Sequence, residues 1–158
     1  MRITKDFEAF VDKKGIGKAA AILLLNPCFH SVCLYRLAAF FHRLHFSVIS
    51  KIIWYINRML FHVDIDYRAD LAGGFVLVHG LGTVIGKSVC SKGRLTVYQG
   101  VTIGGNNGKT RIDDNGKEYG QPIIGENVKI YTGAGVFGPV IIESGTVIKA
   151  GSIVTHDI

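Results

Sequence analysis

Residues 122–154 read PIIGENVKIYTGAGVFGPVIIESGTVIKAGSIV, and their spacing decides the fold. Aliphatic residues recur every six positions, at Ile124, Ile130, Val136, Ile142, Ile148 and Val154. Four residues after each of the first five stand Val128, Ala134, Val140, Thr146 and Ser152, all small or β-branched. A period near 3.6 would make an amphipathic helix and a period of 2 a half-buried strand; six is neither. One large aliphatic per six residues predicts a short strand followed by a corner, with three such faces closing a coil of about 18 residues. Successive coils stack at the inter-strand spacing of about 4.8 Å, so the aliphatics form inward columns. Glycines such as Gly125, Gly133 and Gly145 supply the freedom that corners need.

Reading backwards, Ile65, Leu71 and Leu77 form one set in the same period, and Ile85, Ser91, Val97 and Ile103 another. Two extra residues fall between them, within 77–84. Between Ile103 and Ile124 the repeat is interrupted, so some 15 residues are expected to bulge outward as a loop at about 104–122.

Upstream the chain obeys other rules. All of the net charge of +6 lies in residues 1–60, which hold only two of the 20 glycines. This part reads as helical: 3–13 with Ile3, Phe7, Phe10 and Val11 on one face, a break at Gly15 and Gly17, and a short apolar run over 18–25. Residues 28–60 follow without Gly or Pro, as one bent helix or two. Leu34, Leu37, Phe41, Leu44, Val48, Ile52, Ile56 and Met59 make a continuous apolar stripe. Arg36, Arg43, Lys51 and Arg58 interrupt it, which argues against a membrane span. The organisation expected is therefore a helical region over 1–60 and a mainly β domain over 61–158. The basic stripe is read as a cap on the prism and on neighbouring subunits, or as a peripheral contact with an anionic membrane surface. Nothing in the charge pattern points to nucleic acid. Three cysteines without metal or CxxC spacing suggest reduced thiols in a cytoplasmic protein. The N-terminus has no secretory pattern, and no histidine pair has metal-ligand spacing.

These segments together resemble the hexapeptide-repeat acetyltransferases, nearest to serine acetyltransferases and related O-acetyltransferases of surface polysaccharides. The likeness rests on Phe29-His30 to Tyr35-Arg36, Val63-Asp64-Ile65, Leu77-Val78-His79-Gly80, Val101-Thr102-Ile103-Gly104-Gly105 and the repeats from Pro122 to Val154. It implies a left-handed parallel β-helix, acetyl transfer from acetyl-CoA to a hydroxyl, no metal, and a homotrimer with sites between subunits. An alcohol needs a general base to attack a thioester. The resemblance assigns that role to His79, on the coil with two extra residues, and an orienting role to Asp64, close to one coil earlier. It further implies that Gly104, Gly105, Thr132 and Ala150 flank the CoA groove. Lys109, Arg111, Lys117 and Lys149 are candidates for its phosphates.

The acceptor is expected to touch Val78 and Gln121. Serine acetyltransferases carry an Asp where Val78 stands and Arg-His where Gly120-Gln121 stand, and those charges hold the serine zwitterion. Their absence favours an uncharged hydroxyl on a surface-polysaccharide sugar or its precursor, with serine as the alternative acceptor. A non-catalytic scaffold subunit is a second alternative, and it would have no use for His79 paired with Asp64.

Overall fold

A computed structural model describes residues 1–12, 16–113, 116 and 118–158. Four helices open the chain: α1 (Arg2–Val11), α2 (Ile16–Leu25), α3 (Pro27–Arg43) and α4 (Ser47–Phe61). Fifteen short strands follow among the described residues. Three parallel sheets carry thirteen of them. The first holds β1 (Asp64–Ile65), β4 (Val84–Ile85), β7 (Thr102–Gly104), β12 (Gly135–Phe137) and β15 (Ile153–Val154). In the second lie β2 (Asp70–Leu71), β5 (Cys90–Ser91), β10 (Ile123–Ile124) and β13 (Ile141–Ile142). The third holds β3 (Phe75–Val78), β6 (Leu95–Tyr98), β11 (Val128–Ile130) and β14 (Val147–Ile148). The chain visits the first, second and third sheets in turn, which makes a three-sided coil.

Register shows why the period of six works. In the first sheet Ile65 faces Ile85, Ile85 faces Ile103, Ile103 faces Val136, and Val136 faces Val154. The second and fourth of these steps are plain coils of three repeats each. The first is longer by the two extra residues, and the third by the interruption of the repeat. The second and third sheets run through Leu71, Ser91, Ile124 and Ile142 and through Leu77, Val97, Ile130 and Ile148. Every aliphatic in these columns is buried. Ser91 is the polar member, and its hydroxyl accepts from the Ala72 N–H at 3.0 Å. The interruption is an excursion between β7 and β10, which carries an antiparallel ribbon of β8 (Arg111–Ile112) and β9 (Glu118–Tyr119).

Asn26 caps α3 by accepting from the Phe29 N–H at 3.0 Å, with Pro27 at the first helical position. The helix buries Phe29, Val32, Tyr35, Ala38 and Ala39, most of them in one apolar cluster with the aliphatics of the prism. The Tyr35 hydroxyl donates to the Ala69 carbonyl at 2.7 Å and accepts from the Leu71 N–H at 3.3 Å, tying the helix to the first coil.

Two details of the helical part differ from the sequence reading, and one open choice is resolved. Gly17 does not break a helix; it lies in the first turn of α2, while α1 stops at a left-handed Asp12. Gly15 falls outside the described residues. Residues 27–61 form two helices, turned at His45 with φ 64°, a left-handed position held without glycine. Most strongly, the apolar stripe does not face the prism: Leu37, Leu44, Val48, Ile52, Ile56 and Met59 are exposed. No single helix among the described residues is long and apolar enough to cross a membrane.

Candidate active site

Five residues, His79–Thr83, join β3 to β4, where the next coil joins β6 to β7 with three. The two extra residues force an irregular corner in which His79, Gly80 and Gly82 are left-handed, with φ of 63°, 64° and 69°. For a histidine this conformation is uncommon and costs about 1 kcal/mol or more, so the surroundings must hold it. The Leu81 N–H donates to the His79 carbonyl at 2.8 Å, and the Gly82 N–H donates to the His62 carbonyl at 2.9 Å. Gly80 is buried; a Cβ there would lie 3.4 Å from Val63 Cγ1 and 3.6 Å from Cys28 Sγ. Burial pushes the Cys28 thiol up, so it stays protonated, and it is hydrogen bonded to the His79 backbone. The result is a fixed backbone that leaves the imidazole exposed.

His79 opens on a cleft of about 590 Å³ between the helices and the third sheet. Val78, Thr96, Tyr98 and Lys129 line its sheet side, and Arg94 and Asp12 stand in the same cleft, 3.7 Å apart. The cleft therefore carries both signs of charge, with Arg94 and Asp12 toward the Gly74 end of β3 and His79 at the other end. Sequence reasoning missed Arg94, Lys129 and Asp12, because only the stacking of β6 and β11 and the packing of α1 on the third sheet bring them to one cleft.

Asp64 begins β1 and pairs with Val84, its N–H donating to the Thr83 carbonyl at 2.8 Å. It thus adjoins the end of the corner that His79 begins. Its carboxylate is held from α4. The Trp54 indole donates to Oδ1 at 2.9 Å, and the Arg58 guanidinium pairs with Oδ2 at 3.0 Å while lying over the Trp54 ring. Among the described residues no hydrogen bond joins Asp64 to the His79 imidazole, so the expected pair is adjacent in the coil without being bonded. The available sequence signal was the spacing of four between Trp54 and Arg58, which sets both on one side of α4.

The remaining candidates fall on two edges of the prism. Thr132 and Ala150 stack above His79 on the edge between the third and first sheets. The Thr132 hydroxyl donates to the Gln99 carbonyl at 3.1 Å, and the Gly151 N–H donates to the Thr132 carbonyl at 2.9 Å. Both Thr132 and Ala150 are exposed. Gly104 and Gly105 lie on the next edge, between the first and second sheets. A Cβ on Gly104 would meet nothing within 4 Å, so the backbone there is open to a close-lying ligand. Gln121 shares that edge, but its carbonyl accepts from the Ser88 N–H at 3.1 Å and lies over Gly86. Within one chain it is anchored away from His79. Val78 pairs with Tyr98 beside the cleft. Of the candidate phosphate ligands, Lys109 and Lys149 are exposed. Arg111 instead donates to Asp157 at 2.8 Å and to the Pro139 carbonyl at 3.2 Å, and Lys117 lies outside the described residues. No group of three metal-ligating side chains is found among the described residues.

The serine acetyltransferase of Bacillus subtilis is 32% identical over 139 residues, covering 87% of this chain and 60% of that protein. That of Helicobacter pylori is 32% identical over 137 residues, covering 87% of this chain and 76% of its own length. The chain belongs to the serine acetyltransferase family. No family model matches it. Among solved structures, the Neisseria gonorrhoeae serine acetyltransferase in complex with serine is 26% identical, with a TM-score of 0.83 over 99% of this chain and 61% of that one. A serine acetyltransferase in complex with CoA shares the fold at 22% identity, with a TM-score of 0.85 over 99% of this chain and 62% of that one. The coil is accordingly the left-handed β-helix of serine acetyltransferases. The chain spans about three fifths of the length of the Bacillus relative.

Proposed function

We propose that this protein is an acetyl-CoA-dependent serine O-acetyltransferase of the cytoplasm, with His79 as general base. The observation that carries this reading is the exposed His79, held on an irregular corner and opening on a cleft with charges of both signs. His79 takes the proton of the acceptor hydroxyl as its oxygen bonds to the thioester carbonyl carbon. The tetrahedral adduct collapses with cleavage of the C–S bond, and the imidazolium returns the proton to the departing CoA thiolate. Asp64 supplies a fixed negative charge on the adjoining strand that favours the imidazolium. Its oxygens keep lone pairs beyond those used by Trp54 and Arg58.

The open backbone at Gly104 and Gly105 and the exposed Thr132 and Ala150 suit an extended pantetheine and its carbonyl oxygen. They lie on two edges of the prism, so a groove between neighbouring copies of a homotrimer brings both sets to one ligand. The serine acceptor reverses the saccharide expectation. Relatives named serine acetyltransferases span most of this chain. Lys129, on β11 in the same cleft, is a candidate partner for the serine carboxylate. A neutral sugar hydroxyl remains the second reading, favoured by the apolar Val78 and by the anchoring of Gln121 on Ser88. Steady-state kinetics with acetyl-CoA separates the two: turnover at millimolar serine is expected, and transfer only to saccharides would overturn the serine assignment.

A further inference from the structure

Helix α4 is built inside out. Its buried positions include Ser50 and Asn57, two turns apart, with Asn57 donating to the Ser31 carbonyl of α3 at 3.2 Å. Its apolar side chains point the other way: Val48, Ile52, Tyr55 and Met59 are 54–71% exposed along one row. On α3 the exposed row is Leu37, Phe40 and Leu44. A helix that turns polar groups inward and aliphatic groups outward is matched to an apolar surrounding.

Charge selects the occupant. From Ile16 to Phe61 the sequence contains no Asp or Glu and five Lys or Arg. Arg36 is buried against Asp6 and Arg58 faces Asp64, which leaves Arg43 and Lys51 on the α3–α4 hairpin beside the exposed rows. Arg43 is 60% exposed and meets Asp70 only loosely, at 3.8 Å. A second copy of this face would bring cations against cations, since the nearby Asp70 is already shared between Arg2 and Arg43. A surface that is apolar within and anionic at its rim answers both features. The inner face of α3 is committed to the prism, so the hairpin can lie on a bilayer but not cross it.

We infer that the outer face of the α3–α4 hairpin docks on an anionic phospholipid surface, the apolar rows entering the headgroup region and Arg43 and Lys51 meeting lipid phosphates. The inference is independent of the acceptor. The test is flotation of the full chain with vesicles at about 0.15 M salt, either of phosphatidylcholine alone or with about one third phosphatidylglycerol. Binding is expected only to the anionic vesicles. Arg43→Glu with Lys51→Glu should weaken it by about tenfold or more, and so should Val48→Ser with Ile52→Ser, both with unchanged circular dichroism. Equal binding to the two vesicle types, or none to either, overturns the inference. So does a Val48→Ser, Ile52→Ser protein that sediments as a smaller oligomer while its vesicle binding is unaltered, because the face would then belong to a second copy.

Discussion

Asp6 has no exposed surface and accepts from four donors. Arg36 Nε reaches it at 2.8 Å and Nη2 at 3.0 Å, and the N–H groups of Gly74 and Phe75 each at 2.8 Å. Asp6→Asn leaves the largely buried Arg36 without a counter-charge and should cost about 3–5 kcal/mol, measured by urea unfolding. Adding Arg36→Met should recover much of that loss, since removing both charges costs less than removing one. The two partners sit on different helices, α1 and α3, with no local pattern to announce them, so the sequence could not show the pair. The place of His79 on a lengthened coil was legible; its left-handed backbone was not. That conformation affects the test of its role. Asparagine tolerates it better than alanine, so His79→Asn is the cleaner variant. Acetyl transfer should fall by about two to four orders of magnitude with the melting temperature nearly unchanged, and near wild-type turnover would remove His79 as the base.

Among the elements, the strands were the most readable, because a column of buried aliphatics recurs at a period no helix shares. The outward stripe on α3 and α4 shows the limit of such reasoning. Periodicity tells which side of a helix is apolar, and burial of that side depends on what else packs there. Here Tyr35, Ala38 and Ala39 took the prism, leaving Leu37 and Leu44 outside. The fastening of the excursion between β7 and β10 had no signal in the sequence. Arg111 holds the Asp157 carboxyl below its ordinary range, and the Ile141 N–H assists at 2.9 Å. A carboxyl with a lowered folded pKa contributes fully above its unfolded value, about 3.9. That contribution is lost as the pH falls through the folded pKa. Hydrogen exchange at Ile141 and around Arg111 should therefore accelerate as the pH drops below about 4, relative to the intrinsic rate. Asp157→Asn should produce the same loosening at neutral pH. Both side chains are largely exposed, so its melting temperature should stay within about 3 °C of wild type. Unchanged exchange in Asp157→Asn would show that the clasp does not hold the loop.

For the whole molecule, Leu81, Val147 and Ile153 remain exposed on the prism, and the proposed donor-site residues are divided between two of its edges. Association into a trimer answers both features. Sedimentation equilibrium at micromolar concentration should return three times the chain mass of 17.2 kDa. A stable monomer would leave Gly104 and Thr132 on edges that cannot share a ligand. This level was least legible from the chain alone, because a repeat fixes what lies inside a coil and says little about which outer faces meet.

The lengthened register step from Ile103 to Val136 has a consequence for how such a protein can change. The excursion leaves the first sheet after Gly104 and rejoins the second at Ile123, where an ordinary corner would also have arrived. Ile124 still faces Ser91 below it and Ile142 above it. The inserted segment is thus a detachable module: shortening, lengthening or exchanging it leaves every column of the prism in place. Variation in this loop can proceed with little penalty in folding, and grafting a loop from a relative between Gly105 and Pro122 is a practical route to a protein with altered surface chemistry on an unaltered frame.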